Sequence, residues 1–402
     1  MKSVLYISPY STSTSAQNGG YGKIANETYN YLNYLKQKNS LKKFIVGAIA
    51  LIIIIAAIFT IWTYYKSDKA TGESFAPSSY QWQWQRAMAW VRENTPITAV
   101  FAHWWDYGYW VQSIGERATI LDGGNAIGYW NHLMGRYVLA GNGNNKEALE
   151  YLYSHNATHL LIDSTEIGKY TAFSSIGSDG IYDRMSWIPD FFMDDRQTTE
   201  KDNETMYVYA GGSATDEDIV WNENGKEILL PGRSSYIIGI LLSKSSKNSI
   251  SQPVGVFMYN NAQYRIPLRY IYINGGLKDF GSGLDAGIFV YPRLDSSSTG
   301  IKANEIGAGL YLSPRTIHSS IAQLYLFGQD SNYFKIAHVE SNNIVTDLKT
   351  NGFYQGEFLN YQGFQGPIKI WEIKYPSDIK LNPEYLSRVY PKEFQTTDSS
   401  KY

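Results

Sequence analysis

The chain has 402 residues, 44% hydrophobic and only 18% charged, with 34 Tyr and 11 Trp. That length permits one large or two to three ordinary domains with real cores, and a formal net charge of -2 argues against a polyanion-binding face, so no nucleic-acid partner is expected. Cysteine is absent, which excludes disulfides, thiol nucleophiles and Cys-ligated metals; the many aromatics beside amides and hydroxyls suit β-structure and surfaces facing sugars or peptides.

Residues 1–43 make a poor domain. The stretch SVLYISPYSTSTSAQ is too short and too polar to span a membrane, and YGKIANETYNYLNYLKQK predicts a short amphipathic helix. A chain beginning this way is expected to be the remainder of a longer membrane region. From Phe44 to Tyr65 the sequence reads FIVGAIALIIIIAAIFTIWTYY without a charge. At ~1.5 Å per residue it spans ~33 Å, enough for a ~30 Å hydrocarbon core, and it is too long and too far from the start for a signal peptide. Trp62, Tyr64 and Tyr65 form an interfacial aromatic belt. Lys36, Lys38, Lys42 and Lys43 crowd its start, whereas Lys66 and Lys69 beyond it are balanced by Asp68 and Glu73. The positive-inside rule therefore predicts a cytoplasmic amino terminus and extracytoplasmic residues 66–402, in a cell-membrane protein that is single-pass as given.

After a polar linker (residues 66–79), YQWQWQRAMAWVRE predicts a helix that Asn94-Thr95-Pro96 stops, because the residue before proline is pushed out of the α region. ITAVFAHWW then reads as a strand, RATILDGG as a second, NHLMGRYVLAG and KEALEYLYSHN as helices, and ATHLLIDST as a third strand. This alternation predicts a mixed α/β domain over 80–205. Residues 206–305 carry short β-branched and aromatic segments punctuated by Gly, Asn and Pro, with Asn224-Gly225 as a hairpin signal, and predict a β-rich module. Helix character returns at SPRTIHSSIAQLYLFG, and NYFKIAHVES and IKIWEIKYP predict last strands over 306–376 that return to the first domain, before a polar tail at 377–402. The fold class expected is one transmembrane α-helix followed by a mixed α/β extracytoplasmic domain with an inserted or appended β-rich module.

The pentapeptide Trp104-Trp105-Asp106-Tyr107-Gly108 carries the clearest chemistry. Each indole offers one N–H donor and the carboxylate only accepts. Two donors and an acceptor complement one hydroxyl, and aromatic walls would penalise a ligand that left these groups unpaired. The pattern suits recognition of Ser or Thr; a buried Trp cluster with a structural Asp is the alternative that the residues alone leave open.

Between Trp82 and about Gly177 the chain resembles the catalytic subunit of oligosaccharyltransferase, most closely its archaeal AglB-like form. A helix ending in Asn94-Thr95-Pro96, a strand, and HWWDYGYW follow the last transmembrane helix in the family's order, and ILDGGN, with Asp122 and Asn125, stands where the family has a strand ending in Asp-Asn. A second family motif, Asp-x-x-Lys-x-x-x-Met or Ile, is matched by Glu166-Ile167-Gly168-Lys169-Tyr170-Thr171-Ala172-Phe173, with Glu for Asp and Phe for Met or Ile. Asp163 and Ile176 are alternative sources of the acid and the apolar residue. The resemblance implies that Trp104, Trp105, Asp106 and Lys169 bind the hydroxyl of the Ser or Thr two places after an acceptor Asn. It also implies that Tyr107, Gly108, Glu166 and Phe173 or Ile176 shape the pocket.

It further implies transfer of a lipid-linked (dolichyl phosphate or diphosphate) oligosaccharide to Asn in Asn-x-Ser/Thr by the full, multi-pass enzyme. A divalent metal, Mn2+ or Mg2+, would be held by loops between earlier transmembrane helices, because an amide nitrogen needs electrostatic help to attack. Neither catalytic residues nor metal ligands are expected in this chain: Glu27 is the only acid in residues 1–43, and His103, His132, His155 and His159 lack convincing ligand spacing. On its own the polypeptide is expected to be inactive, with catalysis supplied by an amino-terminal multi-helix region, as a separate chain or as missing sequence. Asp216-Glu217-Asp218 reads as a solvated turn. The rival reading is a membrane-anchored carbohydrate-binding or adhesion module without catalysis.

Overall fold

The computed structural model describes residues 19–36, 40–75, 82–124, 127–223, 225–246, 249–297, 300–352, 354 and 356–391. The chain divides into two units, Met1–Ser78 and Ser79–Tyr402.

The first unit holds α1 (Gly19–Lys36) and α2 (Ser40–Phe75). Among the described residues α2 is the one helix long and apolar enough to cross a membrane, and none of its apolar stretch is buried in protein. The expected linker at 66–79 is helical as far as Phe75. No proline lies between the start of α2 and Pro77, and Lys69 pairs with Glu73 one turn on, at 3.8 Å.

The second unit begins with α3 (Trp82–Asn94), whose Trp84, Ala87, Met88 and Val91 recur at helical spacing and are buried. The expected strand ITAVFAHWW shrinks to β1 (Val100–Ala102), because the chain is still turning at Pro96–Ala99. There follow α4 (Gly108–Ser113), β2 (Ala118–Thr119), α5 (Gly128–Leu133) running into a π-helix (Met134–Leu139), α6 (Lys146–Ser154), β3 (His159–Ile162) and α7 (Glu166–Ile176). In one sheet β1 lies between β2 and β3, parallel to both.

Next come β4 (Asp190–Met193), β5 (Thr199–Lys201), β6 (Glu204–Ala214), β7 (Ile219–Glu223), β8 (Lys226–Leu230) and β9 (Tyr236–Ser245). They are followed by β10 (Val254–Tyr259), β11 (Ala262–Ile273), β12 (Gly276–Asp279), β13 (Leu284–Ser297) and β14 (Gly300–Leu312). A π-helix (Ile321–Leu326), β15 (Phe334–Glu340), α8 (Asn343–Thr350), β16 (Leu359–Asn360), β17 (Phe364–Gln365) and β18 (Ile368–Ile373) complete the unit. β18 pairs antiparallel with β3 and β15, so these late strands extend the sheet that carries β1.

The large sheet runs β11-β10-β9-β6-β4-β14-β13, and a parallel pairing of β11 with β13 closes that order on itself. Closure removes exposed strand edges, and Phe191, Tyr209, Ile240, Phe257, Ile271 and Ile288 form a core of their own. The β-region therefore starts at Asp190, ahead of residue 206, runs to Leu312, and takes in 359–365. β7 and β8 make the expected hairpin apart from it; Gly225 has φ 82, while Asn224 lies outside the described residues, as do Asn125, residues 1–18 and 392–402. Asp216 is buried rather than solvated, its carboxylate accepting from Ser186 Oγ at 2.5 Å and from the Ser313 hydroxyl.

Candidate functional site

Parallel neighbours in a sheet release their following loops at the same end. Here β1 delivers residues 103–108 and β3 delivers residues 163–169, so the pairing itself brings the two motifs together. After β1 the chain stays extended at Trp104 (φ -65, ψ 143), makes one 3-10 turn over Trp105–Tyr107, and enters α4 at Gly108. A Cβ on Gly108 would lie 2.4 Å from Asp122 Cβ and 2.5 Å from Asp122 Cα. Only glycine lets α4 pass the chain after β2 this closely.

At the rim, Lys169 Nζ lies 2.5 Å from Asp106 Oδ2 and 3.1 Å from the Tyr107 hydroxyl, 4.7 Å above that ring. Both members of the ion pair stay partly open, with side-chain exposures of 33% and 23%. Trp105 beside them is 38% exposed, whereas Trp104 is only 2% exposed and meets Phe173 edge-on at 5.8 Å. At most an edge of the Trp104 indole therefore reaches solvent.

Beneath the rim lies a buried polar layer. Tyr107 stacks on Trp84 at 4.9 Å, and its hydroxyl is 2.5 Å from Thr165 Oγ1 and 3.3 Å from Glu166 Oε2. Glu166 Oε2 accepts from the Asp163 N–H at 2.9 Å, and Asp163 Oδ1 accepts from the Thr165 N–H at 2.7 Å. Burial pushes both carboxyls up; Glu166 goes well above the usual range, with the neighbouring Asp163 charge adding to burial and Lys169 opposing it. Glu166 thus supports Lys169 and Tyr107 from inside the protein and does not face the rim.

A raised carboxyl pKa makes the folded state bind more protons than the unfolded one, so this contribution falls as pH climbs from about 4.5 towards the folded value. Glu166→Gln removes the charge and keeps an acceptor. Urea unfolding between about pH 5 and pH 8 is expected to show the variant gaining on the parent as pH rises. Parallel stability curves would contradict a Glu166 carboxyl whose pKa burial raises.

Of the alternatives in the second motif, Phe173 stands one turn from Lys169 and touches Trp104, while Ile176 lies a further turn along α7, where its carbonyl is within 2.9 Å of His132 Nδ1. Of the two, Phe173 is the one that packs on Trp104. Fully buried, it is expected to cost about 3–5 kcal/mol in unfolding free energy when truncated to Ala, as read by denaturant titration. Trp84 and Thr165 escaped the sequence reading; the burial of Trp84 was implicit in the helical spacing of α3, but nothing in the sequence aimed it at Tyr107.

His103 is fully buried, its pKa lowered to about 4 by burial, with Nδ1 2.7 Å from the Trp104 carbonyl. His132, His155 and His159 each hold a backbone carbonyl or a hydroxyl. Among the described residues no three His, Asp or Glu side chains converge on a metal position, so no step is assigned to a metal here.

No family model matches the chain. Over 96 residues it is 35% identical to dolichyl-phosphooligosaccharide-protein glycotransferase 1 of Pyrococcus furiosus, a stretch covering 23% of this chain and 10% of that protein. It is 31% identical over 96 residues to dolichyl-diphosphooligosaccharide-protein glycosyltransferase subunit STT3B of Oryza sativa subsp. japonica, covering 23% and 12%. The chain is similar to oligosaccharyltransferases. The matched part spans about a tenth of the length of these oligosaccharyltransferase relatives. Among solved structures, the carboxyl-terminal domain of PglB from C. jejuni aligns at TM-score 0.37 and 12% identity, over 72% of this chain and 99% of that one. The oligosaccharyltransferase AglB from Archaeoglobus fulgidus, in complex with an inhibitory peptide and a dolichol-phosphate, aligns at TM-score 0.32 and 17% identity, over 82% and 30%.

Proposed function

We propose that this chain is the acceptor-reading part of an oligosaccharyltransferase, which binds the Ser or Thr of Asn-x-Ser/Thr at the rim formed by Trp105, Asp106 and Lys169. The observation that carries the proposal is the half-open Asp106–Lys169 pair at 2.5 Å, flanked by the exposed Trp105. A hydroxyl entering there donates to Asp106 and accepts from Lys169 or an indole N–H, so both of its hydrogen-bonding functions are met. Trp104 backs the rim, with Phe173 packed behind it. The relatives' names support transfer of a dolichyl-linked oligosaccharide to protein as the reaction of the whole enzyme. They favour that reading over an adhesion module.

In this proposal the lipid-linked donor and the divalent metal (Mn2+ or Mg2+) are held by a multi-helix membrane region, and α2 crosses the membrane with its amino-terminal side cytoplasmic and residues 66–402 outside. Titrating the 15N-indole-labelled chain with an Asn-x-Thr peptide tests the site. The Trp105 N–H resonance is expected to shift in saturable fashion; shifts confined to tryptophans outside 104–105 would overturn the placement.

A further inference from the structure

A second cavity, sharing no residue with the rim of Trp105, Asp106 and Lys169, lies where the large sheet forks. β13 pairs with β11 as far as Phe289 and with β16 from Arg293, so among the described residues Val290, Tyr291 and Pro292 have no ladder partner on that flank. A cavity of about 600 Å³ opens at this gap, and Tyr272, Phe289, Tyr291, Tyr354, Glu305 and Glu357 are among the residues that line it. The Glu357 group is fixed from behind: Lys369, only 5% exposed, holds Glu357 Oε2 at 2.7 Å and donates to the Tyr325 carbonyl at 3.0 Å. A buried lysine committed to a rim carboxylate holds that carboxylate in place.

The lining selects its ligand by elimination. A hydrocarbon chain would press apolar atoms against the Glu305 and Glu357 side chains and strip their water without replacing it. An anion would meet like charge, and a β-strand would find only three residues of open edge, one of them Pro292, which has no N–H to give. A cation gains little from Glu357, whose charge Lys369 already balances. What remains is a neutral ring that presents C–H faces to aromatics and hydroxyls to carboxylates. We propose that this cavity binds a short neutral oligosaccharide, the sugar rings lying against Tyr272 and Tyr354 and their hydroxyls donating to Glu305 and Glu357. The volume lies in the range that encloses most of a small-molecule ligand.

The test uses the full chain in a sugar-free zwitterionic detergent, probed by saturation-transfer NMR with mannotriose and with N,N′-diacetylchitobiose at millimolar concentration. At least one sugar is expected to bind, and Glu305→Gln and Tyr354→Ala are each expected to weaken it about tenfold. Unchanged thermal unfolding and unchanged Asn-x-Thr peptide binding show each variant to be folded, and a saturating peptide leaves the sugar in place. Failure of both sugars to bind, equal binding by both variants, displacement of sugar by the peptide, or preferential binding of tetramethylammonium would each overturn the assignment. Sugar binding, its loss in the two variants and the thermal melts are read without the peptide, so they stand whether or not the acceptor reading holds.

Discussion

Asp106→Ala is expected to weaken binding of an Asn-x-Thr peptide by about tenfold to a hundredfold while leaving the fold intact. The carboxylate is the only acceptor-only group at the rim, and a hydrogen bond to a charged partner is worth about 1.5–3 kcal/mol, which converts to that range of affinity. The substitution also frees Lys169 Nζ, which now lies 2.5 Å from Asp106 Oδ2, so the ammonium loses the partner that aims it. Stability should change by less than about 1 kcal/mol, since both side chains are partly solvated and such pairs contribute little to folding. Fluorescence-anisotropy titration beside a thermal melt separates the two effects. Asp106→Asn, which retains an acceptor oxygen, should fall between parent and Ala variant. A large loss of stability with unchanged peptide affinity would assign Asp106 to the core instead.

Gly108→Ala should have the larger effect on the molecule as a whole. A Cβ there would sit 2.4 Å from Asp122 Cβ, 2.5 Å from Asp122 Cα and 2.6 Å from the Leu121 carbonyl oxygen. These are backbone or backbone-adjacent atoms, so no side-chain rotation relieves the overlap; either α4 or residues 121–122 must shift. Overpacking of this kind costs about 1–3 kcal/mol and more where backbone is the obstacle. We expect a loss of about 3 kcal/mol in urea unfolding, together with weakened peptide binding, because α4 and the 3-10 turn holding Asp106 are continuous. Parent-like stability in this variant would mean that the close approach is not a feature of the folded chain.

Much of this site was legible before any coordinates. The Trp-Trp-Asp run pointed to hydroxyl recognition beside the alternative of a structural cluster, and the Glu166–Lys169–Phe173 spacing places three side chains on successive turns of one helix. That these turns face Asp106 follows from a parallel β1–β3 pairing, which the strand-helix alternation suggested but could not register residue by residue. The roles of Tyr107 and Glu166 were harder to see. A tyrosine after Asp106 looks like a turn former until burial, stacking on Trp84 and the hydrogen bond to Thr165 show it supporting Lys169. Likewise Glu166 was expected to shape the pocket as the acid of the second motif, but nothing in the sequence showed that it is fully buried. Barrel closure escaped the sequence for a different reason: the β11–β13 contact is a parallel pairing, and hairpin signals report only antiparallel neighbours. The helical continuation of α2 to Phe75 shows the limit of hydropathy, which marks where a membrane core ends and not where a helix does.

The claim that matters most is that this surface reads a side-chain hydroxyl. Calorimetric titration of the chain with two peptides, Asn-x-Thr and its isostere Asn-x-Val, addresses it directly, because the pair differs only by a hydroxyl exchanged for a methyl. The threonine peptide is expected to bind at least about tenfold more tightly, and that preference is expected to vanish in Asp106→Ala. Equal affinity for the two peptides in the parent chain would contradict the account.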